Sequence, residues 1–246
     1  MTEQAFQITV YETLFLLGLI FAASLLLGKR VKLFWLISIV IIAFSGKLIL
    51  FLGAGGMLGN WVGGHYNWEG KIFSTVYTLF LIIVFFGKNL EKVGFTLAQT
   101  GPLPRLGIGI AIFTVIATVA WNTIYFPEIK SEPTIDILFQ ATMPSLDEEL
   151  WFRGLLLAML FKGFSINRCN PKNYYPIFLA ATIVTIQFWA VHSITSDGDW
   201  SFIFRTWYNP VSGIYGALWI VVRLCTGSLI LPILLHTFAN ITGYFI

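Results

Sequence analysis

The sequence predicts an all-α fold: a polytopic transmembrane helical bundle of about eight membrane helices. Of the 246 residues, 57% are hydrophobic and only 11% are charged, whereas an average soluble domain carries about 25% charged residues. Mean hydropathy is +0.80, and apolar stretches of about 20 residues, the length that crosses a bilayer, recur along the chain. Too few charges remain to cover the surface of a soluble globule, which excludes a soluble enzyme, a disordered regulator and a secreted disulfide scaffold. Cys169 and Cys225 form no CxxC or zinc pattern, and neither reads as a disulfide partner. Without a basic run or a Cys/His finger, nucleic acid is not an expected partner. The lipid bilayer is.

Each span follows from hydropathy. Ile8–Leu27 comes first, and its flanks lack the basic start and small-residue cleavage site of a signal peptide, so it reads as a permanent helix. Leu33–Leu52 follows, with Lys47 inside it. A Gly- and Trp-rich loop at 53–71 leads into a shorter span, Ile72–Gly87. Leu106–Phe126 is entered through Gly101-Pro102-Leu103-Pro104. Pro127 and Pro133 bracket an acidic loop. Residues 135–161 read as a helix interrupted near Pro144 and hold the densest charge in the chain. Tyr174–Val191, Val211–Cys225 and Ser228–Ile246 complete the set, the last two separated by Thr226-Gly227. No internal repeat and no soluble domain stands out, so 1–246 is expected to form a single integral membrane domain.

Lys29, Arg30 and Lys32, then Lys88, Lys92 and Arg105, then Lys162, Arg168 and Lys172 fall in alternate loops. The positive-inside rule makes these loops cytoplasmic and puts both termini outside. Glu69, Glu128, Glu132, Asp197 and Asp199 fall in the opposite loops. Arg223 is expected to reach the cytoplasmic interface.

Function should lie where hydropathy is broken, because a charge at the bilayer centre costs at least about 2.5–3.5 kcal/mol. The cluster Asp147-Glu148-Glu149-Leu150-Trp151-Phe152-Arg153 is the strongest break. Glu149 and Arg153 are four apart and share a helix face in the favourable acid-before-base order. Glu148 points about 100° away, so one carboxylate can be neutralised by Arg153 while the other stays available for chemistry. The competing reading is an interfacial charge patch that ends a helix. His192 closes the sixth span, where an interfacial hydrogen-bonded histidine is equally ordinary. His236 and Asn240 are four apart on the final helix and must find partners or line a cavity. Lys47 is expected to snorkel or to pair with an acid. His65 carries no assignment, and the glycines of 53–64 lack the pattern of a phosphate-binding loop.

A carboxylate, two imidazoles and an amide suffice for hydrolysis. A glutamate can act as general base on water, an imidazole can orient that water, and a second histidine with an asparagine can donate to a developing oxyanion. Glu148, His192 and His236 are also a legitimate zinc set, although HExxH is absent.

Glu148-Glu149-x-x-x-Arg153, Phe188-x-x-x-His192 and His236-x-x-x-Asn240 together resemble the three motifs of the CPBP family. This is the CAAX-protease and bacteriocin-processing group of intramembrane proteases, also called the Abi family. Phe152-Arg153-Gly154 and Thr226-Gly227-Ser228-Leu229 add context, and the resemblance covers roughly 134–246. It implies a membrane-embedded endopeptidase acting on a peptide or membrane-protein substrate. Glu148 and His192 would activate water, His236 and Asn240 would form the oxyanion hole, and Glu149 and Arg153 would support the site. It implies no cofactor, with a divalent metal such as zinc as the alternative. Prenyl-CAAX specificity is not carried over, because the charge pattern places His192 toward the outer face. No family motif falls within 1–133. The competing functions are a non-catalytic membrane adaptor or bacteriocin-immunity-type protein of the same fold and, behind it, a proton-coupled transporter.

Overall fold

A computed structural model describes residues 2–28, 31–54, 56, 57, 59, 61–126, 128, 132–167, 173–205 and 210–245. Lys29, Arg30, Pro127, Arg168, Cys169 and Lys172 lie outside the described residues. The chain is helical nearly throughout. Helix α1 (Glu3–Leu27) starts at Thr2, whose hydroxyl caps Ala5 N at 3.2 Å. Helix α2 (Leu33–Ala54) is followed by a glycine-rich loop and by α3 (Trp68–Phe86), capped by Asn67. A 3-10 turn (Leu90–Val93) precedes α4 (Pro104–Tyr125), which has proline in its first turn, where a missing N–H is harmless. Helix α5 (Thr134–Glu149) runs through a π-helical turn (Leu150–Leu156) into α6 (Leu157–Gly163) as one rod. Helix α7 (Tyr174–Val191) leads into a small antiparallel hairpin, β1 (Ile194–Thr195) and β2 (Ile203–Phe204), with Ile194 opposite Phe204. Helices α8 (Pro210–Thr226) and α9 (Ile230–Ile241) finish the fold, with a last 3-10 turn at Thr242–Tyr244.

Five helices, α1 to α4 and α7, are long and apolar enough to cross a membrane; α8 and α9 are apolar but shorter. The protein is an all-α integral membrane bundle. Its core is the central rod: Leu155, Leu156, Met159 and Leu160 are fully buried. The outer faces carry Leu14, Phe21, Leu25, Phe34, Ile41, Phe80, Phe113 and Ile116, all largely exposed, as lipid-facing positions must be. Lipid tails are as apolar as leucine, so helices here associate through close packing and interhelical hydrogen bonds. Ser45 with Tyr77, Thr118 with Tyr215 and Ser145 with Thr237 each meet at 2.7 Å across helices.

The expected interruption at Pro144 is not where the helix changes. Pro144 lies inside α5, and the irregular turn is the π segment that begins directly after Glu149. Helix α9 packs beside this turn, where Thr237 Oγ1 donates to Ala141 O at 3.3 Å and pairs with Ser145. The third span begins at Trp68 rather than Ile72, which brings Lys71 onto the helix. Arg223 reaches the loop that holds Lys92, one of those expected to be cytoplasmic. It is buried, with Nε donating to Arg153 O at 3.2 Å and one Nη to Lys92 O at 3.3 Å.

The hydrogen bonds between loops group their ends. Lys32 N donates to Gly163 O at 2.7 Å, and Gly101 N donates to Thr226 O at 2.8 Å. At the other end His65 N donates to Asp136 Oδ1 at 2.9 Å, and the hairpin loop meets α1 through Gln4, Gln7 and Tyr11.

Candidate active site

Four elements converge on the carboxylates of the central rod. Lys71 comes from the first turns of α3, Asp147, Glu148 and Glu149 end α5, His192 caps the end of α7, and His236 sits in the middle of α9. Lys71 is held in place by an unusually tight start to α3. Asn67 accepts from Gly70 N at 2.9 Å and donates to Leu50 O at 2.8 Å. A Cβ on Gly70 would lie 2.2 Å from Leu50 O, so only glycine lets α2 and α3 approach this closely.

The three acids are divided between two cations. Arg153 Nη1 donates to Glu149 Oε1 at 2.8 Å, with both side chains fully buried. The guanidinium also lies 4.1 Å from the centre of the Phe188 ring, a cation–π contact that helps to hold it. Lys71 Nζ contacts Asp147 Oδ2 and Glu148 Oε1, each at 2.8 Å. The widened π turn is where this polar cluster sits, as π segments often do at functional sites.

Both imidazoles are fixed through Nδ1. His236 Nδ1 lies 2.9 Å from Glu149 Oε1, and His192 Nδ1 lies 2.7 Å from Phe188 O. Carboxylate and carbonyl only accept, so both Nδ1 atoms carry protons and donate. Nε2 of each ring is left facing Glu148 Oε2, at 3.5 Å from His192 and 4.0 Å from His236. Trp219 stacks on the His236 ring at 4.6 Å and stiffens it further. Glu148 Oε2 is buried and has no hydrogen-bond partner among the described residues. Asn240 lies one turn beyond His236, half-buried, and makes no hydrogen bond with a described residue.

Beside this group is a cavity of about 270 Å³, lined by α2, α3, the central rod and His192. Its walls mix apolar side chains, including Ile42, Leu50, Trp151 and Val191, with polar ones such as Lys47, Lys71 and Thr78. Lys47 does pair with an acid, Glu12 Oε2 at 2.7 Å. Sequence reasoning passed over Glu12, although a charge inside an otherwise apolar span is the kind of break that could have found it. It passed over Lys71 because the expected loop at 53–71 ended with it, one residue before the expected span.

Glu148 Oε2 with Nε2 of both histidines is a donor set that zinc accepts, and the fixed Nδ1 protons give the tautomer ligation needs. Among the described residues the set whose ligand-type atoms lie within 4.8 Å of one another is instead His65, Glu132 and Asp136. There the His65 ring lies 2.6 Å from Asp136 Oδ2, which ties the glycine-rich loop to the first turn of α5.

The membrane helical bundle thus gathers glutamates, histidines and a buried arginine, with Glu148 and His192 at the wall of a cavity. Residues 130–242 match the family model described as type II CAAX prenyl endopeptidase Rce1-like, a CAAX-protease family. No curated protein and no solved structure matches the chain. The family is one of proteases, so CAAX-type intramembrane proteolysis is the activity that the match suggests.

Proposed function

We propose that the protein is an intramembrane endopeptidase that hydrolyses a peptide bond of a membrane-associated or small peptide substrate by a glutamate-activated water. One observation carries the reading. Glu148 Oε2 is a buried, unpartnered carboxylate oxygen facing two imidazole Nε2 atoms at 3.5 and 4.0 Å, at the wall of a cavity. Those gaps exceed a direct hydrogen bond and leave this oxygen to accept from a water admitted with the substrate.

In this reading Glu148 takes a proton from water as the hydroxyl adds to the scissile carbonyl carbon. His192 Nε2 accepts the water's other hydrogen bond and orients its lone pair. The oxyanion that forms is met by Nε2–H of a protonated His236 and by the Asn240 amide. The Glu149 carboxylate on His236 Nδ1–H supports that imidazolium, as a carboxylate does behind a catalytic histidine. The proton on Glu148 then passes to the leaving nitrogen, the C–N bond breaks, and an acid and an amine depart. The reaction so drawn needs no metal. An ion such as zinc, if held by Glu148, His192 and His236, would supply a polarised water instead.

The test is cleavage of a membrane-peptide library by the purified protein in detergent, read by mass spectrometry. Glu148→Gln, His192→Ala and a chelated wild type run in parallel. Cleavage that is lost in both variants and retained under chelation is expected. Cleavage unchanged by Glu148→Gln would overturn the assignment, and loss on chelation would replace it with a metal-dependent one.

A further inference from the structure

We propose that the protein binds one anionic phospholipid in a second cavity, at the end of the bundle away from the glutamates, where two lysines meet a single phosphodiester. The inference is independent of the proteolytic reading. This cavity measures about 690 Å³, within the range of about 300–1,000 Å³ usual for small-molecule sites. It shares no lining residue with the chamber beside Glu148. Lys162, in its wall, follows Glu148 along one helical rod and lies about 20 Å further on, at 1.5 Å of rise per residue.

The cavity has an apolar floor and a cationic rim. Phe86 at the end of α3 and Ala158 on α6 are buried, and Phe161 and Ile166 continue that surface. Lys92 comes from the 3-10 turn and Lys162 from α6. Both are exposed, and neither ammonium is paired with an acid among the described residues. Glu91 is the one acid in the lining. Two lysines and one glutamate leave a single positive charge on the rim. A headgroup of net charge −1 cancels it, and a zwitterionic headgroup does not. Two ammonium groups on one concavity also repel each other until an anion sits between them. Thr100 on the rim offers a hydroxyl without a partner among the described residues, and a phosphate oxygen can accept from it.

The backbone that carries these groups is already fixed. Arg223 Nη donates to Lys92 O at 3.3 Å, and Ser228 Oγ donates to Thr96 O at 2.7 Å. Gly101 N is held on Thr226 O at 2.8 Å, and Lys32 N holds Gly163 O at the end of α6 at 2.7 Å. A ligand entering here loses little affinity to ordering the protein. The margin of the cavity selects a lipid over a dissolved phosphate. Leu97 projects between Thr96 and Thr100, Leu103 and Leu106 follow Pro102, and all three are largely exposed. Such a margin takes acyl chains while the lysines take the phosphate, as in basic pockets between membrane helices that hold anionic headgroups.

Native mass spectrometry of the full chain, delipidated in a neutral detergent, tests this by titration with phosphatidylglycerol and, separately, phosphatidylcholine. One phosphatidylglycerol is expected to bind, about fivefold or more tighter than phosphatidylcholine, the worth of one lysine near an anionic surface. Lys92→Gln and Lys162→Gln should each weaken it about fivefold, and together about 25-fold. The corresponding arginine variants should retain it. Lys88→Gln with Arg105→Gln removes two positive charges that do not line the cavity, and binding should persist. Thermal midpoints supply the second readout. Phosphatidylglycerol should raise the midpoint of the wild type and leave that of the double glutamine variant unmoved, while the two proteins match without lipid. Inorganic phosphate at the same concentration should have no effect. A phosphate shift equal to that of the lipid would make the ligand a dissolved anion and overturn the lipid assignment. Equal binding of phosphatidylcholine, or wild-type affinity in the double glutamine variant, would overturn the proposal. So would an equal loss in Lys88→Gln with Arg105→Gln, because the attraction would then belong to the whole basic face and not to this cavity.

Discussion

Glu149 Oε1 receives Arg153 Nη1 at 2.8 Å and His236 Nδ1 at 2.9 Å on the same atom, so one buried oxygen joins the charge balance of the central rod to the ring orientation of α9. The relationship separates the two glutamates by task. Glu149 spends Oε1 on Arg153 and His236, while Glu148 turns Oε2 toward the two histidines.

The Glu149–Arg153 pair should therefore be intolerant of single substitution. Arg153→Met leaves Glu149 as an uncompensated buried charge, and such losses typically cost about 3–5 kcal/mol. The expected outcome is a marked fall in the thermal midpoint in detergent, partly recovered by adding Glu149→Met. A single variant as stable as the wild type would show that the pair is not a folding determinant.

The two halves of the proposed oxyanion hole should fail in a way that binding residues do not. Asn240→Ala is expected to reduce kcat by about 10²–10³-fold, the usual effect of removing one donor, with KM nearly unchanged. Steady-state kinetics on any cleaved peptide decide it. A change confined to KM would move Asn240 to substrate binding.

The close crossing of α2 and α3 predicts a steric lesion with a functional readout. Gly70→Ala places a Cβ 2.2 Å from Leu50 O, so the first turn of α3 must shift and carry Lys71 with it. Overpacking of this kind costs about 1–3 kcal/mol. Both thermal stability and peptide cleavage should fall, whereas Gly109→Ala, where a Cβ meets open space, should be silent in both measurements.

Interhelical hydroxyl pairs should matter much less than the buried charges. Thr118→Val breaks the 2.7 Å contact to Tyr215, and membrane-buried hydrogen bonds average about 0.6 kcal/mol. A small loss of midpoint is expected, and a loss comparable to that of Arg153→Met would contradict the premise that helix packing dominates here.

The sequence carried the helical architecture because hydropathy and length act locally. It also carried the polar set of the rod, α7 and α9, because i to i+4 spacing puts Glu149 with Arg153 and His236 with Asn240 on shared faces. Three features were not legible. Lys71 and Glu12 find their partners across helices, at separations that no local pattern encodes. Arg223 looked interfacial because its terminal position on α8 hides the fact that Gly94 and the 3-10 turn close over it. Pro144 suggested a break, but Thr237 on a neighbouring helix supplies polar contacts there, and the true irregularity falls in a leucine-rich turn without proline.

The chamber beside Glu148 takes its far walls from α2 and α3 and its near wall from the central rod. In the proposed reaction, a substitution at Ile42, Ala43 or Leu50 would change which peptide the chamber admits without touching a reacting atom.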